Sequence, residues 1–318
     1  MAIYLSESDV KKLLTMAMAL EGVESAHRDL ATGCAQDTPR ARTRLPQMAL
    51  HLLQGALPAQ GVIGYKAYTT HRSGSRFFVH LFDAASGELQ AIMQADYLGM
   101  IRTGAASGVA AKYLARPESA VAGVFGSGWQ AEGHIRALCA ALPLKLIKVC
   151  GRQPEKLASF CARLQEATGV DMRPTLAPEE TVRDSDVIGT VTSATQPLFN
   201  ADWLAAGTHI NAAGSNALIR QELSEAAVRR CALVCVDAVP TALAEAGDLL
   251  PLLEKGRLHA RQLVELGDVI SGRRPGRQSA SEITLFESQG MAIQDLAVAA
   301  RVLAAAREQG LGSPLPMP

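Results

Sequence analysis

Residues 123–134 read GVFGSGWQAEGH, and the fold turns on whether these glycines cradle a phosphate or only turn a corner. The run SAVAGVF before them (119–125) is short and apolar, as a buried strand is, and the residues after Gly128 suit the opening of a helix. In a dinucleotide fingerprint, Gly126 makes the tight turn, Gly128 lets a pyrophosphate approach the backbone and Ala131 keeps helix and strand close. The helix start then offers unpaired N–H groups to the anion. An ordinary glycine turn is the competing reading, so the surroundings must decide.

Downstream of Pro117, strand and helix patterns alternate: AVAGVF, AEGHIRALCAAL, LKLIKVCG, PEKLASFCARLQEATG, DVIGTVTS, NADWLAAGTHINAAG, RQELSEAAVRRC and ALVCVDA. Such alternation builds βαβ units and a parallel sheet with helices on both faces. Upstream, residues 8–32 carry helical spacing. They are followed by the strand-like GVIGYKAYTT, RFFVHLFDAASGEL and QAIMQA, with DAASGE as a hairpin turn. The small-residue-rich YLGMIRTGAASGVAAKYLA (97–115) reads as a helix, and MAIQDLAVAARVLAAAREQG (291–310) as a long last helix that returns to the first domain. The expected class is α/β: a Rossmann-type doubly wound parallel sheet spanning 116–289, plus an α+β domain spanning 1–115 and completed by 290–318.

Composition narrows the function. The chain has 318 residues, 48% hydrophobic and 19% charged, with a formal net charge of +0. No field recruits nucleic acid or an anionic bilayer, and no apolar run approaches the roughly 20 residues a membrane span needs. A cytoplasmic enzyme without nucleic-acid or membrane partners is expected. The six cysteines lack paired C-x-x-C spacing and read as reduced core thiols, with no metal expected. CALVCV (231–236) reads as a buried strand carrying Cys231 and Cys235 on one face.

Between Asp37 and Asp83 there is no acidic residue, yet Arg40, Arg42, Arg44, Lys66, Arg72 and Arg76 all fall there. A cationic tract without counter-ions suits an anion from outside, although any single arginine could equally be a solvated surface charge. Lys66 differs. Strand alternation in VIGYKAY places it with Gly64 and Tyr68 on a half-buried face, where its pKa is open to tuning. Arg102 sits in a helix crowded with glycine and alanine, where a flat ligand can come close. Arg152, at the end of the strand after the glycine turn, tilts the cofactor toward NADP over NAD, unless it is a solvated loop cation.

Several blocks together resemble the ornithine cyclodeaminase and mu-crystallin family: PRARTRLP, GYKAYT, LGMIRTGAASGVAAKYLA, GVFGSGWQAEGH, GTHINAAGSN and SEITLFESQGMAIQDLAVA. The resemblance implies that Arg42, Lys66 and Arg102 hold a substrate carboxylate, that NAD or NADP is bound, and that two copies pair through the first domain. Arg42 is chosen over its neighbours because it precedes Thr43. The cofactor-binding set expected is Thr103, Gly126, Ser127, Gly128, Gln130, Ala131, Arg152, Thr192, Ser193 and Ser215. Asp295, in the last helix, is expected to join Lys66 as a catalytic residue by orienting it or the nicotinamide, with a solvated helix carboxylate as the alternative.

The departures from the family pattern carry the specificity. Cyclodeaminases resemble one another in a glutamate about a dozen residues before the strand lysine and an aspartate after the NA-x-G turn. Here Leu53 lies near the first position and Asn216, kept as a substrate-binding candidate, occupies the second. An ammonium without a carboxylate partner is poorly held, and an amide cannot be a general base. The expected activity is therefore NAD(P)H-dependent reduction of a small anionic α-imino acid to the amino acid, or the reverse. The surplus cations, with His51 and His71, suggest a dicarboxylic substrate such as iminosuccinate, whereas pyrroline-2-carboxylate leaves the extra arginines unexplained. Ornithine cyclodeaminase and a non-catalytic, NADP-bound crystallin-like protein are the alternatives.

Overall fold

The computed structural model describes residues 1–316. The last two residues of the expected 290–318 segment, 317 and 318, lie outside the described residues. The chain begins with β1 (Ile3–Leu5), α1 (Glu7–Leu13), α2 (Met16–Ala31), β2 (Gln36–Arg44), β3 (Met48–Leu57), β4 (Val62–His71), β5 (Gly74–Asp83), β6 (Leu89–Gln94) and α3 (Asp96–Leu114). Next come β7 (Val121–Phe125), α4 (Trp129–Ala141), β8 (Leu146–Cys150), α5 (Pro154–Thr168), β9 (Asp171–Thr175), α6 (Pro178–Val182), β10 (Val187–Thr190) and β11 (His209–Ala212). It continues through α7 (Glu225–Arg229), β12 (Leu233–Val236), α8 (Val239–Glu245), α9 (Leu250–Glu254), β13 (Leu263–Glu265), α10 (Leu266–Ile270) and β14 (Thr284–Glu287) to α11 (Ala292–Gln309) and β15 (Ser313–Pro314).

Two compact units result: Met1–Thr103 with the chain from Gly290 onward, and Gly104–Gln289. The division falls within α3, and residues 104–115, read from sequence as the end of the first domain, group with the second unit.

The first unit is built on a seven-stranded sheet of order β15-β1-β6-β5-β4-β3-β2. β3 pairs antiparallel with β2 and β4, so residues in register share a face: Arg42, His51, Tyr68 and Phe77 form one row, and Leu53, Lys66 and Val79 the next. This face turns toward α11. A Cβ on Gly55 would come within 2.9 Å of Ile293, so the small residue lets helix and sheet close up. The opposite face carries Leu50 and Ile63, each 46% exposed. Ser6 and Asp9 form a capping box that starts α1, and the Thr15 side chain caps α2.

The second unit is an eight-stranded sheet of order β13-β12-β14-β11-β10-β7-β8-β9, parallel throughout. Its strand side chains divide between two apolar clusters. Ala122 and Val124 of β7 pack with Ile135 and Leu138 of α4 and Leu157 of α5. Phe125 packs instead with Ile188, Ile210, Ala227 and Ala242, on the side of α7 and α8. Apolar burial on both faces defines the doubly wound Rossmann arrangement.

β2, β3 and β9 carry little strand signal in the sequence. β2 is an edge strand with Pro39 and a register shift between Thr38 and Ala41, and β9 is an edge strand holding Pro174, so neither shows apolar alternation. Cys231 precedes β12 rather than lying in it beside Cys235, because the strand begins only at Leu233. All six cysteines are free thiols. Among the described residues, no cluster of His, Cys, Asp or Glu could hold a metal, and no helix is long and apolar enough to cross a membrane.

Candidate active site

In the first unit, Lys66 of β4 and Asp295 of α11, 229 residues apart in sequence, meet with Nζ 3.0 Å from Oδ1 and 2.9 Å from Oδ2. Arg102 of α3 donates from Nε to the same Oδ1 at 2.9 Å and from Nη1 to Gln294 Oε1 at 2.9 Å. The Gln294 amide nitrogen lies 3.0 Å from His27 Nε2 on α2, and the same side chain's oxygen accepts the Met291 N–H that begins α11. Lys66, Arg102 and Asp295 are 3%, 6% and 0% exposed. Two cations sharing one carboxylate in a dry site are held by geometry, since removing the carboxylate would leave both charges uncompensated.

Burial, and then the neighbouring Arg102 charge, pull the Lys66 ammonium down to about 7. Asp295, by charge and hydrogen bond, opposes the fall. The result is an amine that exchanges its proton near neutrality, as general acid–base work requires. Nζ also stands 5.7 Å from the Tyr68 ring centroid, and Tyr68 stacks on His51 with centroids 4.3 Å apart. His51 is pushed down to about 4 by burial and then by Arg42, Arg40 and Arg44, so it is a neutral ring at pH 7.

The acid-free tract therefore separates into two sets. Lys66 is buried and Arg40 and Arg42 are half-buried, whereas Arg44, Arg72 and Arg76 are exposed. Arg40 acts on both Lys66 and His51. His71 is exposed and bonds Ser73. Leu53 lies in register with Lys66 at 1% exposure, an apolar wall where a charged substrate amine would find no partner.

Nothing in the sequence singles out Gly290. With φ +80, and with a Cβ there falling 2.7 Å from Arg102 Nη1, this position admits only glycine if the guanidinium is to keep its place. Gln294 and His27 are equally silent in the sequence. Their polarity is ordinary in a helix, and only the chain of contacts to Arg102 gives them meaning.

In the second unit a cavity of about 750 Å³ opens around the glycine turn, lined by Gly126, Ser127, Gly128, Gln130, Arg152, Thr192 and Ser193 of the expected set. Gly126 has φ +116, and a Cβ on it would lie 2.6 Å from the Val191 carbonyl oxygen. Gly128 starts α4 with no side-chain cap, and nothing lies within 4 Å of the place its Cβ would take. First-turn N–H groups without a cap, open space in front of them and a helix N-terminus make an anion seat. Lys156, four residues beyond Arg152 on α5, also lines the cavity, and among the described residues lining it there is no Asp or Glu. Trp129 joins the lining at 49% exposure. These features fit a dinucleotide.

Three further members of the expected set are held by bonds or packing of their own. Ala131 is fully buried against β7, Thr103 bonds the Gly99 carbonyl within α3 at 2.6 Å, and Ser215 is buried with its hydroxyl donated to Glu287. Asn216 follows Ser215 on the loop after β11 and is exposed there.

Comparison with known proteins finds dehydrogenases and reductases. Alanine dehydrogenase of Archaeoglobus fulgidus is 33% identical over 322 residues, covering 97% of this chain and 96% of that one. The structure of Thermococcus litoralis Delta(1)-pyrroline-2-carboxylate reductase in complex with NADH and L-proline superposes with a TM-score of 0.94 at 29% identity, covering 98% of this chain and 100% of that one. The iminosuccinate reductase of Paracoccus denitrificans in complex with NAD+ gives 0.93 at 27% identity, covering 99% of each chain. The profile of the ornithine cyclodeaminase/mu-crystallin family matches residues 2–310, and the chain belongs to that family.

Proposed function

We propose that this protein is an NAD(P)H-dependent oxidoreductase that reduces an α-imino acid to the α-amino acid, and runs in reverse when amino acid and oxidised cofactor are in excess. The observation that carries the reading is the buried Lys66–Asp295–Arg102 cluster, beside Leu53 and without a carboxylate at position 216. A nicotinamide cofactor held by the glycine turn would supply the hydride for the imine carbon. Arg42 and Arg102 hold the substrate carboxylate, with the Arg102 plane fixed by Asp295 and Gln294. Lys66 Nζ gives its proton to the imine nitrogen, and Asp295 keeps that proton on Nζ until substrate arrives. Gly104–Gln289 serves as the dinucleotide-binding unit and the remainder as the substrate-binding unit. The open sheet face with Leu50 and Ile63 is the surface through which two copies pair.

Exposure of Arg44, Arg72 and Arg76 leaves Arg40 as the cation available to a second carboxylate. Leu53 favours an apolar substrate body, so a cyclic or short aliphatic imino acid is the first reading and a dicarboxylic one such as iminosuccinate the second, supported by Arg40. Arg152 and Lys156, without an acid in the cavity lining, favour NADPH over NADH. The test is a panel of pyrroline-2-carboxylate, and of pyruvate and oxaloacetate with ammonia, each with NADH and NADPH, followed by loss of reduced-nicotinamide absorbance. Turnover of one panel member supports the reading. No oxidation with any of them, or ammonia release from ornithine without net cofactor consumption, overturns it.

A further inference from the structure

Behind the wall of the cofactor cavity lie carboxylates that the reaction above does not use. Glu222, Asp248 and Glu287 are each 0% exposed. Glu222 Oε1 accepts from the Thr192 N–H and from the Thr192 hydroxyl, each at 2.6 Å, and its Oε2 accepts from the Gly214 N–H at 2.8 Å. Asp248 Oδ1 accepts the N–H groups of Glu222 at 2.7 Å and Leu223 at 3.0 Å, which fixes the backbone from which Glu222 projects. Burial, and then the nearby Asp248 carboxylate, push the Glu222 carboxyl up, while the bonds from Thr192 hold it down. Accepting from these neutral donors is the geometry that favours its ionised form.

The placement gives that anion a role. Thr192 sits on the turn after β10 and lines the cavity, and Gly214 sits on the turn after β11. A side chain on Gly214 would strike the Thr192 carbonyl and the Glu222 carboxylate, so the two turns close on one carboxylate. Sheet order reverses at β7, with β8 on one side and β10 on the other. A dinucleotide bound at this switch point would set its pyrophosphate against the β7 turn, leaving the residues after β8 to its adenosine half and the turns after β10 and β11 to its nicotinamide half.

Resting on the cofactor reading above, we propose that Glu222 is a positioning residue for the nicotinamide half: it ties the two turns together and sets a buried negative charge behind them that favours the oxidised, cationic ring over the reduced, neutral one. Glu222→Gln keeps the size, removes the charge and turns an amide N–H toward one of the donors. Loss of a bond to a buried charge is expected to weaken binding of the oxidised cofactor, NAD+ or NADP+, by about 10- to 100-fold and of its reduced form about 5-fold less than that. Dissociation constants are read by quenching of the intrinsic tryptophan fluorescence and by calorimetry at one pH, with melting temperature recorded for each variant. Equal affinities in the folded variant and the wild type overturn the proposal. Parallel weakening of both cofactor forms overturns it too, since that is what a merely structural residue would give. Should Glu222→Gln not fold, Thr192→Val decides: it removes the hydroxyl donor that holds the carboxylate, and an about 5-fold loss of affinity for the oxidised form with a smaller loss for the reduced form is expected, an equal loss for both or no change being the contrary result. A wild-type protein that binds neither NAD(H) nor NADP(H) refutes the cofactor reading itself, a different failure.

Discussion

Replacing Asp295 by Asn removes one negative charge and leaves the side chain's shape. Lys66 Nζ lies 2.9 Å from the nearer Asp295 oxygen, and the lysine sits at about 7 because burial and Arg102 lower it while Asp295 raises it. An opposite charge at this range moves a pKa by about 1–3 units. Taking about 2 units, or about 2.7 kcal/mol, the variant's Lys66 titrates near 5. At pH 7 its protonated fraction then falls from about one half to about one hundredth, so proton delivery slows about 50-fold. The assay is kcat/KM against pH from 5 to 9 with pyrroline-2-carboxylate, or with whichever panel substrate turns over. For the wild type the rate is expected to hold below pH 7 and to decline tenfold per unit above it, because the charged lysine is the donor. For Asp295→Asn the same limb should move to lower pH, with activity partly recovered near pH 5. A limb that stays near 7, or a loss of rate independent of pH, would refute the assignment of Lys66 as the donor tuned by Asp295.

Other substitutions probe the remaining parts. Gly126→Ala forces a side chain into φ +116 against the Val191 carbonyl; a local cost of about 1–3 kcal/mol should appear as a loss of dinucleotide affinity of at least tenfold by calorimetry. Arg152→Ala and Lys156→Ala should each raise the KM for NADPH with little effect on NADH, and steady-state kinetics with both cofactors checks this. Gly290→Ala pushes on Arg102, 2.7 Å from the new Cβ; KM for the imino acid should rise while cofactor affinity is unchanged.

The sequence made the parallel sheet legible because β7, the glycine turn and α4 are local and each obeys its own rule of periodicity. It also placed Lys66 on a buried strand face, through alternation alone. β2 escaped because an edge strand with arginines, a proline and a bulge has no apolar rhythm to read. Pairing Asp295 with Lys66 required the family resemblance, since a contact across 229 residues leaves no trace in local spacing. Gly290, Gln294 and Lys156 escaped for the same reason: each acquires its role from neighbours that local spacing does not reveal. The sequence does not display exposure, which separates the exposed Arg44, Arg72 and Arg76 from the half-buried Arg40 and Arg42.

The most direct test follows the hydrogen itself. Pyrroline-2-carboxylate, or the active member of the panel, is reduced with NAD(P)H carrying deuterium in both positions at C4 of the nicotinamide, and the product is examined by mass spectrometry and NMR. Deuterium at Cα of the amino acid, in one-to-one ratio with cofactor oxidised, is the outcome predicted. Oxidised cofactor with no deuterium in the product, or an ornithine-derived product formed with the cofactor returned unchanged, would contradict imino acid reduction.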